Sequence, residues 1–140
     1  MEGGVMIYAL MMTHGDLGKS LLSTAEMIVG KMDGFHLFSF HSGDSIDLYR
    51  EKVRLFIEDH AGDDIFIFTD IFGGSCSNTA LRYMDLPRVC AFAGVNLPMI
   101  IAFHTAKLTL QPEAIRDMIG KEGVRSVVDM KKEWQGRREG

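Results

Sequence analysis

The sequence predicts an α/β fold: an open, mostly parallel, doubly wound sheet of about five strands with helices on both faces. Strand-like apolar segments alternate along the chain with segments whose apolar residues recur at helical spacing. The strand-like segments are apolar almost without a break, as strands are when helices bury both faces of a parallel sheet. The 140 residues are enough for one domain with an ordinary core.

The N-terminal part of the chain predicts a strand, a helix and a second strand. Residues 5–12 are a continuous apolar strand, which breaks at residues 13–15. A helical pattern follows at once, with Asp16 placed to be its N-cap and Gly30 placed to end it. Residues 35–40 then predict the second strand.

The middle of the chain repeats this order. Ser45 can cap a helix that begins at about residue 46, and Gly62 marks the end of that helix. Residues 65–69 predict a third apolar strand, and a short helix is expected over about residues 75–84.

The C-terminal part predicts two further strands. Pro87 marks the boundary before a fourth strand at residues 89–93. Pro98 suits the first turn of the next helix, and a second helical piece spans about residues 112–119. Residues 124–130 are apolar at alternate positions and predict a short fifth strand.

Composition and charge exclude several classes of protein. Hydrophobic residues make up 46% and charged residues 24%, which is typical of a soluble globular protein. The net charge of −4 does not indicate a nucleic-acid partner, since proteins that bind nucleic acids usually carry a basic surface. The longest apolar runs are far shorter than the ~20 residues of a membrane span. Cys76 and Cys90 form no close motif, which favours a reducing, cytoplasmic location.

Two polar side chains follow strands that we expect to be neighbours. His14 comes directly after the first strand and Asp70 directly after the third. In open α/β sheets the carboxyl ends of the strands form the ligand-binding crevice. An imidazole can act as a nucleophile when a carboxylate engages its other nitrogen, and Asp70 is the candidate. The alternatives are that His14 is a polar turn residue and that Asp70 caps the next helix.

A glycine-rich turn, Gly73-Gly74-Ser75, follows Asp70 and leads into a helix. Unpaired N–H groups at such a turn favour phosphate, and paired glycines let backbone approach an anion closely. The same three residues also form an ordinary turn in many proteins. Phosphate binding by this turn is therefore a hypothesis.

No metal site and no cofactor are expected. The remaining histidines, His36, His41, His60 and His104, form no close-spaced ligand pair. A metal site would need several of them to converge with Asp70.

Three segments together resemble one known family. They are Thr13-His14-Gly15, the run TDIFGGSCSN at residues 69–78 and the run GVNLPM at residues 94–99, in this order and spacing. The chain resembles the mannose-type IIA domain of the bacterial phosphoenolpyruvate-dependent sugar phosphotransferase system, over roughly residues 5–130.

The resemblance implies a phosphotransferase with a phosphohistidine intermediate. His14 would accept a phosphoryl group from phospho-HPr and pass it to a IIB component during carbohydrate uptake. Asp70 would orient the His14 ring. Ser75 would hold the phosphate together with the surrounding Thr13, Gly73 and Gly74.

The family pattern has proline at the position of Cys76. The helix should still begin there, since proline mainly presets φ. We therefore interpret Cys76 as a small residue at a helix start. The alternative, which we favour less, is that its thiol lies incidentally near the phosphate.

The resemblance also sets the expected organisation. Residues 1–132 would be a single phosphocarrier domain and residues 133–140 a polar, frayed tail. The last strand, residues 124–130, would be an antiparallel edge strand that joins the sheet of a second copy in a homodimer. The IIB partner would be a separate chain, and any membrane contact would be indirect, through a permease complex.

Two alternatives remain at this point. One is a regulatory protein in which phosphorylation of His14 controls binding to another protein. The other is a small-ligand hydrolase or binding module, which the lack of a second plausible general acid or nucleophile makes the weaker hypothesis.

Overall fold

The computed structural model describes residues 4–139, in which four strands form one sheet with the order β2-β1-β3-β4. All three strand pairs are parallel. In chain order the elements are β1 (Ile7–His14), α1 (Leu17–Val29), β2 (Phe35–Phe40), α2 (Ile46–Asp59), β3 (Asp64–Thr69), α3 (Ser75–Leu81), β4 (Val89–Ala93), α4 (Leu97–Ala106), α5 (Pro112–Arg125) and α6 (Met130–Glu139).

The core lies on both sides of the sheet, as the predicted fold class requires. Successive residues of β1 point to opposite faces. Ala9 and Met11 join a core that includes residues of α1, α4 and α5, whereas Leu10 and Met12 join one that includes residues of α2 and α3. The α/β class and the open parallel sheet are thus confirmed.

The expected fifth strand was wrong, and so was the expected antiparallel edge. Val124 and Arg125 are the end of α5, and Met130 begins α6. Hydrogen bonds within this segment hold it as the end of a helix instead of a strand. The Ser126 N–H donates to the Glu122 carbonyl, and the Ser126 hydroxyl donates to the Gly123 carbonyl. A strand would need an edge to pair with before it could compete with these contacts.

The predicted polar tail is helical over the part that is described. Residues 133–139 lie in α6, which buries none of its residues. Residues 1–3 of the predicted domain and residue 140 of the tail lie outside the described residues. Of the helices in the described part of the chain, none combines the length and the apolar character that a membrane crossing requires.

The turn between β1 and α1 is held by a side chain other than the expected one. Asp16 occupies the N-cap position but makes no capping hydrogen bond. Instead, the hydroxyl of Thr13 accepts a hydrogen bond of 2.8 Å from the Gly18 N–H. Ser45, in contrast, caps α2 as predicted, since its hydroxyl accepts from the Leu48 N–H at 3.3 Å.

Gly18 leaves no room for a larger residue. A Cβ at this position would lie 2.9 Å from Thr13 Oγ1 and 3.1 Å from Met11 Cβ, and both neighbours are buried. We expect Gly18→Ala to lower the free energy of unfolding by about 1–3 kcal/mol, because overpacking outweighs the better helix propensity of alanine. Urea denaturation would measure the change.

Gly136→Ala in α6 is the matched control, since its Cβ would meet nothing within 4 Å. This variant should be as stable as the wild type or slightly more stable. If Gly18→Ala behaved like Gly136→Ala, the steric argument would be wrong.

Candidate functional site

His14 is the last residue of β1, one of the two inner strands, at the carboxyl edge of the sheet. It pairs in register with Phe40 of β2, and the two rings meet edge to face with centroids 6.1 Å apart. The Gly15 N–H donates to the Phe40 carbonyl at 2.9 Å, which holds the turn beside the ring. The His14 side chain is 44% exposed, so one side of the imidazole faces solvent.

Asp70 holds the His14 residue at two points. Its Oδ2 accepts from the His14 backbone N–H at 2.9 Å and lies 2.8 Å from His14 Nδ1. Its Oδ1 accepts from the Ile71 N–H at 3.0 Å. Because an ionised carboxylate only accepts hydrogen bonds, Nδ1 of a neutral His14 carries the proton and Nε2 keeps a free lone pair. The adjacency of β1 and β3 brings these side chains together.

The surroundings of Asp70 favour its ionised form. Its side chain is only 13% exposed, and burial by itself would raise the pKa of Asp70. The hydrogen bonds from the His14 backbone and ring, together with the charge of the ring when protonated, outweigh burial and hold the pKa below its ordinary value. Asp70 is therefore a carboxylate at neutral pH.

The glycine turn lies against the imidazole. A Cβ on Gly74 would be 3.1 Å from His14 Cε1 and 3.1 Å from Ile71 Cγ2, so only glycine lets the turn approach the ring this closely. Gly73 has a φ of +94°, in the left-handed region that favours glycine. Its N–H donates to the Ser77 hydroxyl at 2.8 Å, and that hydroxyl donates to the Gly74 carbonyl at 3.1 Å.

The other predicted phosphate ligands differ in their placement. Ser75 is the first residue of α3 and is half-buried next to Gly74. The N–H groups of Gly74 and Ser75 precede the hydrogen-bond ladder of α3 and have no partner within it. Thr13 is fully buried with its hydroxyl at the start of α1, so its predicted contact with phosphate stays a prediction.

Cys76 lies beside His14, the arrangement that the sequence analysis had held as the less favoured of two interpretations. α3 does begin at Ser75, as expected, but Cys76 is fully buried beside the site. Its Sγ lies 3.6 Å from the hydroxyl of Tyr49 on α2. Burial raises the pKa of the Cys76 thiol, while the bond with Tyr49 acts in the opposite direction. No sequence signal indicates this contact, because it depends on how α2 and α3 pack on one face of the sheet.

The surface next to the site is apolar. Ile71 and Phe72 follow Asp70 directly and are 60% and 73% exposed. Exposed apolar residues beside a polar centre are typical of surfaces that bind other proteins. A separate apolar cavity of about 660 Å³, lined by residues such as Leu97, Ile101 and Met118, does not include His14.

Comparisons with known proteins agree with the resemblance in the sequence. A family model described as the PTS system fructose IIA component matches residues 8–120. The fructose-specific EIIA component of the Bacillus subtilis phosphotransferase system is 30% identical over 116 residues, which are 81% of this chain and 77% of that protein. The mannose-specific EIIAB component of Escherichia coli K12 is 31% identical over 91 residues. These are 64% of this chain, but only 28% of the longer protein.

Solved structures show the same fold. The phosphotransferase system component EIIA from Streptococcus agalactiae superposes with a TM-score of 0.82 at 21% identity, covering 91% of this chain and 99% of that one. The mannose/sorbose-specific IIA subunit from Enterococcus faecalis gives a TM-score of 0.77 at 21% identity, covering 89% and 94% of the two chains.

Proposed function

The chain belongs to the fructose/mannose IIA family of the sugar phosphotransferase system, whose members act as phosphotransferases, and from this membership we propose that it is a phosphoryl carrier with His14 as the acceptor. In this proposal His14 receives the phosphoryl group from phospho-HPr and passes it to a IIB component in the cytoplasm during carbohydrate uptake. The half-exposed imidazole that Asp70 engages from one side is the observation that supports it most directly.

The geometry suits a group that both accepts and donates phosphate. The Nε2 lone pair attacks phosphorus, the bond from phosphorus to the donor breaks, and its electron pair leaves with the donor. The Nδ1 proton stays with the ring in its hydrogen bond to Asp70, whose negative charge stabilises the positively charged phosphohistidine. Transfer to IIB reverses these steps. Such chemistry requires alignment and charge stabilisation more than covalent help from the protein.

The turn beside the ring is the proposed phosphate cradle. The N–H groups of Gly74 and Ser75 and the Ser75 hydroxyl are the groups we expect to contact the phosphoryl oxygens. Gly73 would shape the turn through its positive φ and its bond to Ser77. A direct contact from Gly73 or Thr13 would require the present partners of these residues to be released.

Reconstituted phosphorylation tests this function. With phosphoenolpyruvate, enzyme I and HPr, the chain should gain one phosphate that is labile in acid and stable in base, as a phosphohistidine is. Omitting HPr should prevent the labelling. An unlabelled chain under conditions that label a known IIA domain would overturn the proposal.

Two exposed residues favour a protein as the partner of this site. Ile71 and Phe72 would pack against HPr and then against IIB, while the adjacent imidazole reaches the phosphoryl group. A small-molecule substrate would gain little from this open apolar surface, since small-ligand sites are concave.

A homodimer, expected from the sequence resemblance, remains part of the proposal. β4 is an edge strand of the sheet. Three apolar residues near the C-terminus are exposed: Val127 and Val128, which lie between α5 and α6, and Met130, which begins α6. An open edge and an uncovered apolar segment both favour association. In a two-fold dimer each C-terminal segment would pack against the other chain's β4 edge, which buries both.

Sedimentation tests the dimer. We expect the full chain to sediment at twice its mass of 15.6 kDa, and a Val127→Lys, Val128→Lys double variant to sediment at the single mass. Met27→Lys, which changes an exposed apolar residue on α1, is the control and should remain a dimer. A full-length chain that is monomeric at micromolar concentration would contradict the prediction.

A further inference from the structure

Three different ligand types converge at the carboxyl edge of the sheet. Cys76 Sγ, a ring nitrogen of His14 and a carboxylate oxygen of Asp70 lie within 4.8 Å of one another, the one such cluster within residues 4–139. In tetrahedral zinc sites the ligand atoms are about 3.5 Å apart, as Zn–S and Zn–N bonds of about 2.3 and 2.0 Å require. Shifts of about 1 Å would therefore allow all three side chains to bind one ion.

The donor set selects a class of metal. A thiolate with an imidazole suits zinc and related borderline or soft ions, whereas magnesium and calcium prefer sites of oxygen ligands alone. Three protein ligands leave a fourth position for water or another ligand, and the exposed side of His14 offers access for it.

Neighbouring groups orient two of the three ligands. The Tyr49 hydroxyl donates to the Phe38 carbonyl at 2.7 Å and also contacts Cys76 Sγ, so the thiol has a fixed neighbour on its buried side. Asp70 is held by the Ile71 N–H. Partners of this kind position metal ligands and raise the affinity of a site.

We propose that His14, Asp70 and Cys76 bind a zinc-class divalent cation, and that bound metal and phosphorylation of His14 exclude each other. On binding, the Cys76 S–H bond breaks, the thiolate binds the metal and the proton leaves to water. To bind the same ion as Asp70, the His14 ring uses Nδ1, the nitrogen that faces the carboxylate. The Nδ1 proton leaves to water and Nε2 takes up a proton from water, so the ring stays neutral and Nε2 no longer has a free lone pair for phosphorus. Asp70 then binds the metal in place of the Nδ1–H group. The metal site stands on the geometry alone, whereas the mutual exclusion rests on the proposed phosphoryl-carrier function.

Cobalt provides the direct test of the site. Co²⁺ added to the reduced, metal-free full chain should give a thiolate-to-metal charge-transfer band that saturates at one ion per chain and disappears when Zn²⁺ is added. Cys76→Ser should lose the band and weaken Zn²⁺ binding by at least about tenfold. Cys90→Ser changes the other cysteine, on β4, and should keep both signals.

The buried position of Cys76 calls for a second variant and a fold check. Cys76→Ala removes the thiol without adding a buried hydroxyl, and circular dichroism would verify the fold of both variants. A band that is absent from the wild type, or that persists in folded Cys76→Ser and Cys76→Ala, would overturn the metal site.

A separate experiment tests whether bound metal and phosphorylation of His14 exclude each other. Zn²⁺ at saturating concentration should suppress phosphorylation of the wild type, and a chelator should restore it. The rate of the folded Cys76→Ala variant with Zn²⁺ is compared with the rate of the same variant in chelator, and the two rates should be equal. Equal inhibition of wild type and Cys76→Ala would overturn the exclusion. Lack of phosphorylation even with chelator would instead reject the carrier function, since the cobalt spectrum reports on the metal site without it.

Discussion

His14→Gln is expected to abolish phosphorylation of the chain, with a loss of at least about 10³-fold in labelling by phospho-HPr, because no other group would offer a nucleophilic nitrogen at this position. The fold should persist, since the side chain is half-exposed at the edge of the sheet and supports little of the core. Time-resolved labelling measures the first effect, and thermal unfolding by circular dichroism measures the second.

His41→Gln is the matched control for this experiment. His41 directly follows β2, the strand that pairs with β1, and its side chain is also exposed. This variant should be labelled at the wild-type rate and to the same stoichiometry. Labelling of folded His14→Gln at another histidine would show that His14 is not the acceptor.

Asp70→Asn is expected to slow phosphoryl transfer by roughly 10- to 10³-fold. The change preserves the size of the side chain but removes the charge that fixes the Nδ1–H form of the ring and stabilises phosphohistidine. The comparable change in a serine protease costs about 10⁴. We expect less here, because phosphoryl transfer depends chiefly on positioning by several groups. Rapid mixing with phospho-HPr would measure the rate.

A second readout distinguishes positioning from a merely structural role. In the wild type, ¹⁵N NMR of the neutral His14 ring should show the Nδ1–H form, and in Asp70→Asn a mixture of both forms. Asp63→Asn is the control, because Asp63 also accepts a backbone N–H, that of Met6, but precedes β3 at its opposite end. An unchanged transfer rate in Asp70→Asn would leave Asp70 a role in the turn alone.

The main features of the fold could be predicted because they depend on local patterns. Continuous apolar segments indicate strands buried on both faces, and apolar residues at helical spacing indicate helices buried on one face. Ser45 marks a helix start because its hydroxyl caps the helix, and Pro98 does so because proline suits the first turn. The error at residues 124–130 has a different origin. Apolar alternation there predicts a strand, but a strand forms only when the segment pairs with a sheet edge. In the single chain the segment does not pair with the β4 edge, and the hydrogen bonds of Ser126 end a helix instead.

Some features of the candidate site could likewise be predicted from the sequence, and others could not. The proximity of His14 and Asp70 could be expected, because each follows a strand and neighbouring parallel strands end at the same edge of the sheet. The contact of Cys76 with Tyr49 and the inward orientation of Thr13 could not. These contacts depend on how the helices pack against the sheet in three dimensions. The order of residues along the chain does not show that packing.

The sequence by itself therefore determined the α/β class, the family and the pair of strand ends that holds the imidazole and the carboxylate. The tertiary structure alone decided how many strands the sheet contains, which N–H groups of the glycine turn are already bonded, and that a buried thiol lies beside His14. The physical reason is that periodicity and turn chemistry act between near neighbours in the chain. Edge pairing and side-chain packing are settled only when distant elements compete for the same space and the same hydrogen bonds.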